Sequence, residues 1–266
     1  MFHWEKGVAD HLVDLGGDIR LLIDSGAFTA WKKNKEIHVK DYAAWIKTLP
    51  IIPWRYFALD VVGNALKTQK NLNWMYAQGM KPTPVFQRGE DWSRLQEYHQ
   101  ASDLVGIGLG VGSTGYKNYL REVMKHTDEI PVHWLGVTQP AWIAYYKPFS
   151  VDGSSWTAAR QYGQMRLYDR GKFYGYARAK AQEPPSKKVR SLIRRYGFDP
   201  AIFAKEESWH GHDSFAALVT VRSWMTYARE AERRFGTKLF LGAVTAEVME
   251  QLVDAWKWCE ENEATI

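Results

Sequence analysis

The 266 residues are 45% hydrophobic, enough for one large α/β domain or two small ones with a sizeable core. A single cysteine, Cys259, excludes an internal disulfide framework and a Cys-rich zinc cluster, and no apolar run approaches the ~18 residues of a membrane span. A formal net charge of +5, with 13 Trp and 14 Tyr, suits a chain that meets phosphates and bases, although core packing also uses aromatic residues.

The opening MFHWEKGVADH lacks the charged-then-apolar order of a signal peptide, so the expected location is cytoplasmic. Short apolar runs at 21–23, 56–59, 84–86, 104–109, 132–135 and 149–151 predict strands. Between them, DYAAWIKTL places Tyr42, Trp45 and Ile46 on one helical face, and WSRLQEYHQ and YLREVMK read the same way. Further along, GKFYGYARA near residue 175 reads as a strand, and EPPSKKVRSLIRR as a loop leading into a basic helix. SFAALVTVRSWMTYAREAERRFG predicts a long amphipathic helix, KLFLGAV a strand and AEVMEQLVDAWKWCEE a last helix. Alternation of strand and helix indicates a parallel sheet. With no linker or repeat in view, the expectation is a single domain over 1–266. A (β/α)8 TIM-type barrel is preferred to an open doubly wound sheet.

The strand-like runs end on polar residues. LLID ends on Asp24, YFALD on Asp60, TPVFQ on Gln87 and FSVD on Asp152, while VGIGLGVG and VHWLG end in glycines. In a barrel these ends meet at the face that carries the active site. Taken singly, an Asp at a strand end is also a common helix N-cap. The glycines of 106–112 lack the Gly-Lys-Ser/Thr of a P-loop; they let a flat ligand approach the backbone. Two or three carboxylates suit work at a glycosidic carbon, one attacking or stabilising C1′ and another moving protons. A third accepts hydrogen bonds from a purine edge, Gln87 offers a donor and an acceptor, and Phe28 offers a ring to stack. A carboxylate-held divalent metal is the competing chemistry.

The motifs DSGAF, YFALD, VFQRG, IGLGVG, WLGVTQP and FSVDGSSW resemble, in order and spacing over roughly residues 20–165, those of the tRNA-guanine transglycosylase superfamily. The closest likeness is to the shortened DpdA-type enzymes, often phage-encoded, which exchange guanine in DNA for a 7-deazaguanine. The resemblance implies a barrel fold, with Asp152 as nucleophile and Asp24 as general acid/base. It makes Phe28 the base-stacking ring, Asp60 and Gln87 the readers of the base edge, the Gly108 amide the partner of the base carbonyl, and Leu135 and Gly136 its neighbours. It implies DNA as substrate, a free 7-deazaguanine base as second substrate, no cofactor and no membrane, and it leaves a homo-oligomer or a partner protein open. If a phage encodes the chain, the compartment is the host cytoplasm.

The chain departs from the tRNA enzymes in lacking their three-cysteine, one-histidine zinc site, in Ala27 for a second glycine, and in DGSSWTAAR after the nucleophile. These differences favour DNA over tRNA. Alternatives are a tRNA-directed enzyme, a nucleic-acid-binding barrel without catalysis, and a metal-dependent hydrolase. Arg160 and the basic stretch Lys187, Lys188, Arg190, Arg194 and Arg195 are candidate phosphate contacts, or else a solvated helix face. Trp31 and Trp156 are candidate supports for a flipped nucleotide, or rim and core packing. HGHD, 210–213, fits no zinc spacing; a loop with Asp213 as the N-cap of the long helix is the expectation.

Overall fold

A computed structural model describes residues 20–108, 116–127, 129–181, 183–211, 214–243 and 245–262. The chain is mixed α/β, and its largest sheet has five parallel strands. By its contacts it divides into two compact units, residues up to 135 with 148–150, and residues 136–147 with 151–266.

The first unit runs β1 (Leu22–Ile23), α1 (Ala27–Lys32), α2 (Val39–Lys47), β2 (Arg55–Tyr56), α3 (Ala65–Ala77), β3 (Val85–Gln87), α4 (Ser93–Ala101), β4 (Val105–Gly108), α5 (Tyr116–His126) and β5 (Val132–Trp134). Each strand lies parallel to the next one in the chain. Ile23 pairs with Tyr56, Phe57 bridges to Thr83, Gln87 pairs with Gly108, and Ile107 pairs with Trp134. The order never reverses. β3, β4 and β5 are buried at every residue, which is why their sequence is continuously apolar or small rather than alternating. The helices cover them with faces set by i, i+3 and i+4 spacing: Tyr42 and Ile46, Leu72 and Met75, Leu95 and Tyr98, Leu120 and Val123 are all buried. Burial of one such leucine is worth about 2 kcal/mol. Asn64 starts α3 by accepting a 3.0 Å bond from the Lys67 amide.

The second unit holds α6 (Pro140–Tyr146), most of β6 (Ser150–Gly153), α7 (Ala158–Tyr162), β7 (Gln164–Asp169), β8 (Lys172–Ala177), α8 (Lys187–Arg195), α9 (Phe215–Phe235), β9 (Lys238–Leu241) and α10 (Ala246–Glu261). The strand expected near residue 175 is the second arm of an antiparallel hairpin. Its first arm, β7, is an element the apolar runs did not single out; in it Met165 and Leu167 are buried and Arg166 is exposed. Val189, Leu192 and Ile193 of α8, Tyr196, Phe203, Trp209 and Val219 pack against the hairpin's Met165, Leu167 and Tyr176 as one apolar cluster. The cap of α9 is a correction. Ser214, not Asp213, is the N-cap, and its hydroxyl accepts a 3.3 Å bond from the Ala217 amide. Asp213 lies outside the described residues, as do 109–115 of the glycine-rich run.

Candidate functional site

β1 delivers Asp24 to solvent and is followed by a tight turn. Gly26 adopts φ +72°, a left-handed conformation that costs glycine nothing, and so lets α1 begin one residue later. Between them Ser25 is only 1% exposed. Its Oγ donates to Asp60 Oδ1 at 2.6 Å and accepts from the Ala27 amide at 3.2 Å. Sequence reasoning passed over Ser25; its one signal was its place between an acid and a turn glycine.

Asp60 follows β2, carried out of the core by buried Ala58 and Leu59. α3 pins the chain on either side of it. Thr68 Oγ1 accepts from the Val61 amide at 2.8 Å, and Asn71 Nδ2 donates to the Leu59 carbonyl at 3.0 Å. The other carboxylate oxygen, Oδ2, accepts from Gln87 Nε2 at 3.0 Å. Gln87 ends β3 at 2% exposure, and its backbone amide donates to Glu90 Oε1 at 3.0 Å. Glu90 Oε2 accepts in turn from the Tyr98 hydroxyl at 2.9 Å, so Glu90 is a second supporting residue that the sequence reading did not mark. A Cβ on Gly108 would stand 2.7 Å from Gln87 Nε2. Gly108 is therefore glycine because the Gln87 amide fills the space beside it.

Burial raises the Asp60 carboxyl above its ordinary value, and the bonds from Ser25, its own backbone and Gln87 pull only part of the way back. An ionised carboxylate has about four acceptor positions, and Ser25 and Gln87 use one on each oxygen. Among the described residues, Gln87 Oε1 accepts no hydrogen bond. Burial, then the charges of Asp24 and Asp60, also push up the Tyr42 phenol, which donates to the Phe57 carbonyl at 2.8 Å.

None of the three aspartates caps the helix after it. α1 starts at Gly26 without a side-chain cap, and α3 is capped by Asn64. The 3-10 turn Ser155–Thr157, after Asp152, starts at Ser154 without a side-chain cap. Phe28 and Trp31 are 46% and 48% exposed, so Trp31 is not core. Their rings lie 6.1 Å apart at 22°, and Lys32 Nζ sits 4.6 Å from the Phe28 centroid.

In the second unit, Asp152 Oδ1 accepts from the Gly136 amide at 2.8 Å, with Gly136 at φ +72°. Trp156 is buried, and its Nε1 donates to the Gly242 carbonyl at 3.1 Å, which makes it a packing residue. Asp24, Phe28, Asp60, Gln87, Gly108 and half-buried Leu135 belong to the first unit; Asp152 and Gly136 belong to the second.

The basic stretch is partly committed inside the fold. Lys188 Nζ and Arg195 Nη1 reach Asp169 at 2.5 and 2.6 Å. Burial alone would raise the Asp169 carboxyl, but these two cations hold it below its ordinary value. Arg190 donates to the Pro185 carbonyl at 2.9 Å, while Arg160, Lys187 and Arg194 are exposed. In HGHD, His210 Nε2 lies 2.8 Å from Glu206 Oε1, and His212 is outside the described residues. Among the described residues no three His, Cys, Asp or Glu side chains are grouped to hold a metal, and no helix is long and apolar enough to cross a membrane.

The fold and site define a mixed α/β protein with a hydrogen-bonded carboxylate–carboxamide pair at the ends of neighbouring parallel strands. No protein-family model, curated protein or solved structure matches the chain.

Proposed function

We propose that the protein is a DNA guanine transglycosylase, which exchanges guanine for a 7-deazaguanine such as 7-cyano-7-deazaguanine. The observation that carries this reading is the joined set Ser25–Asp60–Gln87 lying over Gly108. A guanine-like edge offers an N–H and an amino group beside a carbonyl. Asp60 has acceptor positions for the two donors, and Gln87 Nε2 keeps a second N–H for the carbonyl. Phe28, half exposed four residues after Asp24, supplies the stacking face. The unreversed strand order of the first unit supports a (β/α)8 barrel over a doubly wound sheet, whose order reverses at a switch point.

In this reading Asp152 attacks C1′ of a deoxyguanosine. The C1′–N9 bond breaks as the carboxylate–C1′ bond forms, and Asp24 supplies the proton taken by the leaving guanine. Asp24 then removes the N9 proton of the incoming 7-deazaguanine, N9 attacks C1′, and Asp152 is released. Two inversions retain configuration, and no energy source is required. The Gly136 amide holds the Asp152 carboxylate in one orientation.

The test is a base-exchange assay. DNA with labelled guanine is incubated with unlabelled 7-cyano-7-deazaguanine, beside a tRNA sample and a sample with EDTA. Release of label from DNA, with the deazaguanine recovered in its nucleosides, is the expected result. Release from tRNA alone keeps the chemistry and changes the substrate, and loss of activity in EDTA favours the metal-dependent alternative. No release from either nucleic acid overturns the reading.

A further inference from the structure

On the second unit, a pocket of about 580 Å³ is lined by Tyr168, Asp169 and Glu230 together with four arginines, Arg170, Arg195, Arg233 and Arg234. The arginines come from three places: the β7–β8 turn, the end of α8 and the last turn of α9. Asp169 is taken up by Arg195 and Lys188, and Arg234 pairs with Glu230 at 2.5 Å. Among the described residues Arg170 and Arg233 have no carboxylate partner. The lining therefore carries four positive charges against two negative ones.

Such a cluster repels itself unless an anion joins it. All four cations are arginine, whose planar fork matches phosphate oxygens two at a time. The position of Arg170 adds to this. The turn has φ +46° at Arg170 and +84° at Gly171, a geometry in which Asn-Gly is favoured. An arginine there costs roughly 1 kcal/mol of backbone strain and brings a cation to the pocket. The Tyr168 hydroxyl, which accepts from the Gly171 amide at 2.9 Å, holds that turn in place.

We infer that this pocket is a phosphodiester-binding subsite for a nucleic-acid strand, with Arg170 and Arg233 as its direct partners and Arg195 and Arg234 reinforcing them. The inference rests on the proposed nucleic-acid substrate for its choice of phosphate source. It moves the phosphate contact from the exposed basic residues of α8 to a pocket beside them.

The experiment compares the full chain with the double variant Arg170→Asn/Arg233→Gln, asparagine being chosen because it tolerates positive φ. Affinity for a fluorescent duplex oligonucleotide is measured over a salt series. The variant is expected to lower the slope of log affinity against log salt by about 1.8, at ~0.9 per phosphate contact. Its thermal midpoint should be no lower than the parent's, since asparagine relieves the strain of the turn, and Arg170→Lys/Arg233→Lys should restore most of the slope. Unchanged affinity and slope in the neutral variant would overturn the inference. So would a thermal shift by inorganic phosphate that the variant abolishes while oligonucleotide binding persists; that result assigns a free anion. Base exchange by the parent protein is scored separately, so exchange with no effect of the arginines sinks only the subsite. A slope change without exchange sinks only the proposed reaction.

Discussion

Gln87 Nε2 donates to Oδ2 of Asp60 over 3.0 Å, joining side chains 27 residues apart in sequence. Each is presented by a different parallel strand, and buried Ser25 from a third closes the set on the opposite carboxylate oxygen. In this arrangement the carboxylate and carboxamide orient one another before any ligand arrives. Replacing Asp60 with Asn removes a charged acceptor while keeping its shape. Affinity for 7-cyano-7-deazaguanine, read by calorimetry, should fall about 10- to 100-fold, the worth of a hydrogen bond to a charged group. Unchanged affinity would remove Asp60 from base recognition.

The Asp60 carboxyl also predicts a pH dependence. Its folded-state pKa is raised above 3.8 by burial, with Ser25 and Gln87 opposing. Base binding that uses the ionised form is lost as pH falls through that raised value. Ser25→Ala removes an opposing hydrogen bond, so the acid limb of the binding curve should move to higher pH. The stability sign runs the other way: the contribution of Asp60 to folding is fully present below 3.8 and is lost as pH rises through its folded-state pKa. A binding curve for Ser25→Ala that overlays the parent's would dissociate Ser25 from the titration of Asp60.

Gly108→Ala places a methyl group 2.7 Å from Gln87 Nε2, closer than atoms pack, so the carboxamide must swing away. The variant should fold, because a side-chain end gives way more easily than backbone, yet bind base more weakly than the parent. Parent-like affinity would show that Gln87 does not need its observed position.

Asp152→Asn keeps an oxygen for the Gly136 amide to bond and removes the proposed nucleophile. Base exchange and any denaturant-stable DNA adduct should fall below detection, with thermal stability unchanged. Normal exchange by this variant would falsify the nucleophile assignment.

Asp169→Asn strips the buried partner from Lys188 and Arg195. Since both cations are partly exposed, the cost should lie at the low end for a broken buried pair, about 1–3 kcal/mol by denaturant titration. Because the Asp169 pKa is depressed, its contribution is present above 3.8 and is lost as pH falls through the folded-state value. The Asn variant should therefore show less acid destabilisation than the parent in that window.

The local elements were legible because their causes are local. Apolar runs of three to six residues between amphipathic segments marked β3, β4 and β5 and the helices that cover them, since strands buried on both faces need that composition. The acids at strand ends were legible as positions, but not as roles: from sequence, Asp24, Asp60 and Asp152 could equally cap helices, and only the structure shows Gly26, Asn64 and Ser154 at those helix starts. Ser25 bonding to Asp60, Gln87 resting over Gly108, and Lys188 and Arg195 turned inward to Asp169 all join residues far apart in the chain. Their distances depend on strand register and helix packing, which no local pattern encodes. β7 escaped notice for a related reason: its alternation of Met165, Arg166 and Leu167 is too short to stand out until β8 pairs with it. The sequence by itself determined which groups the chain carries and where each strand delivers them; the tertiary structure decided which of those groups meet, because hydrogen bonds between side chains form only across the few ångströms that packing sets.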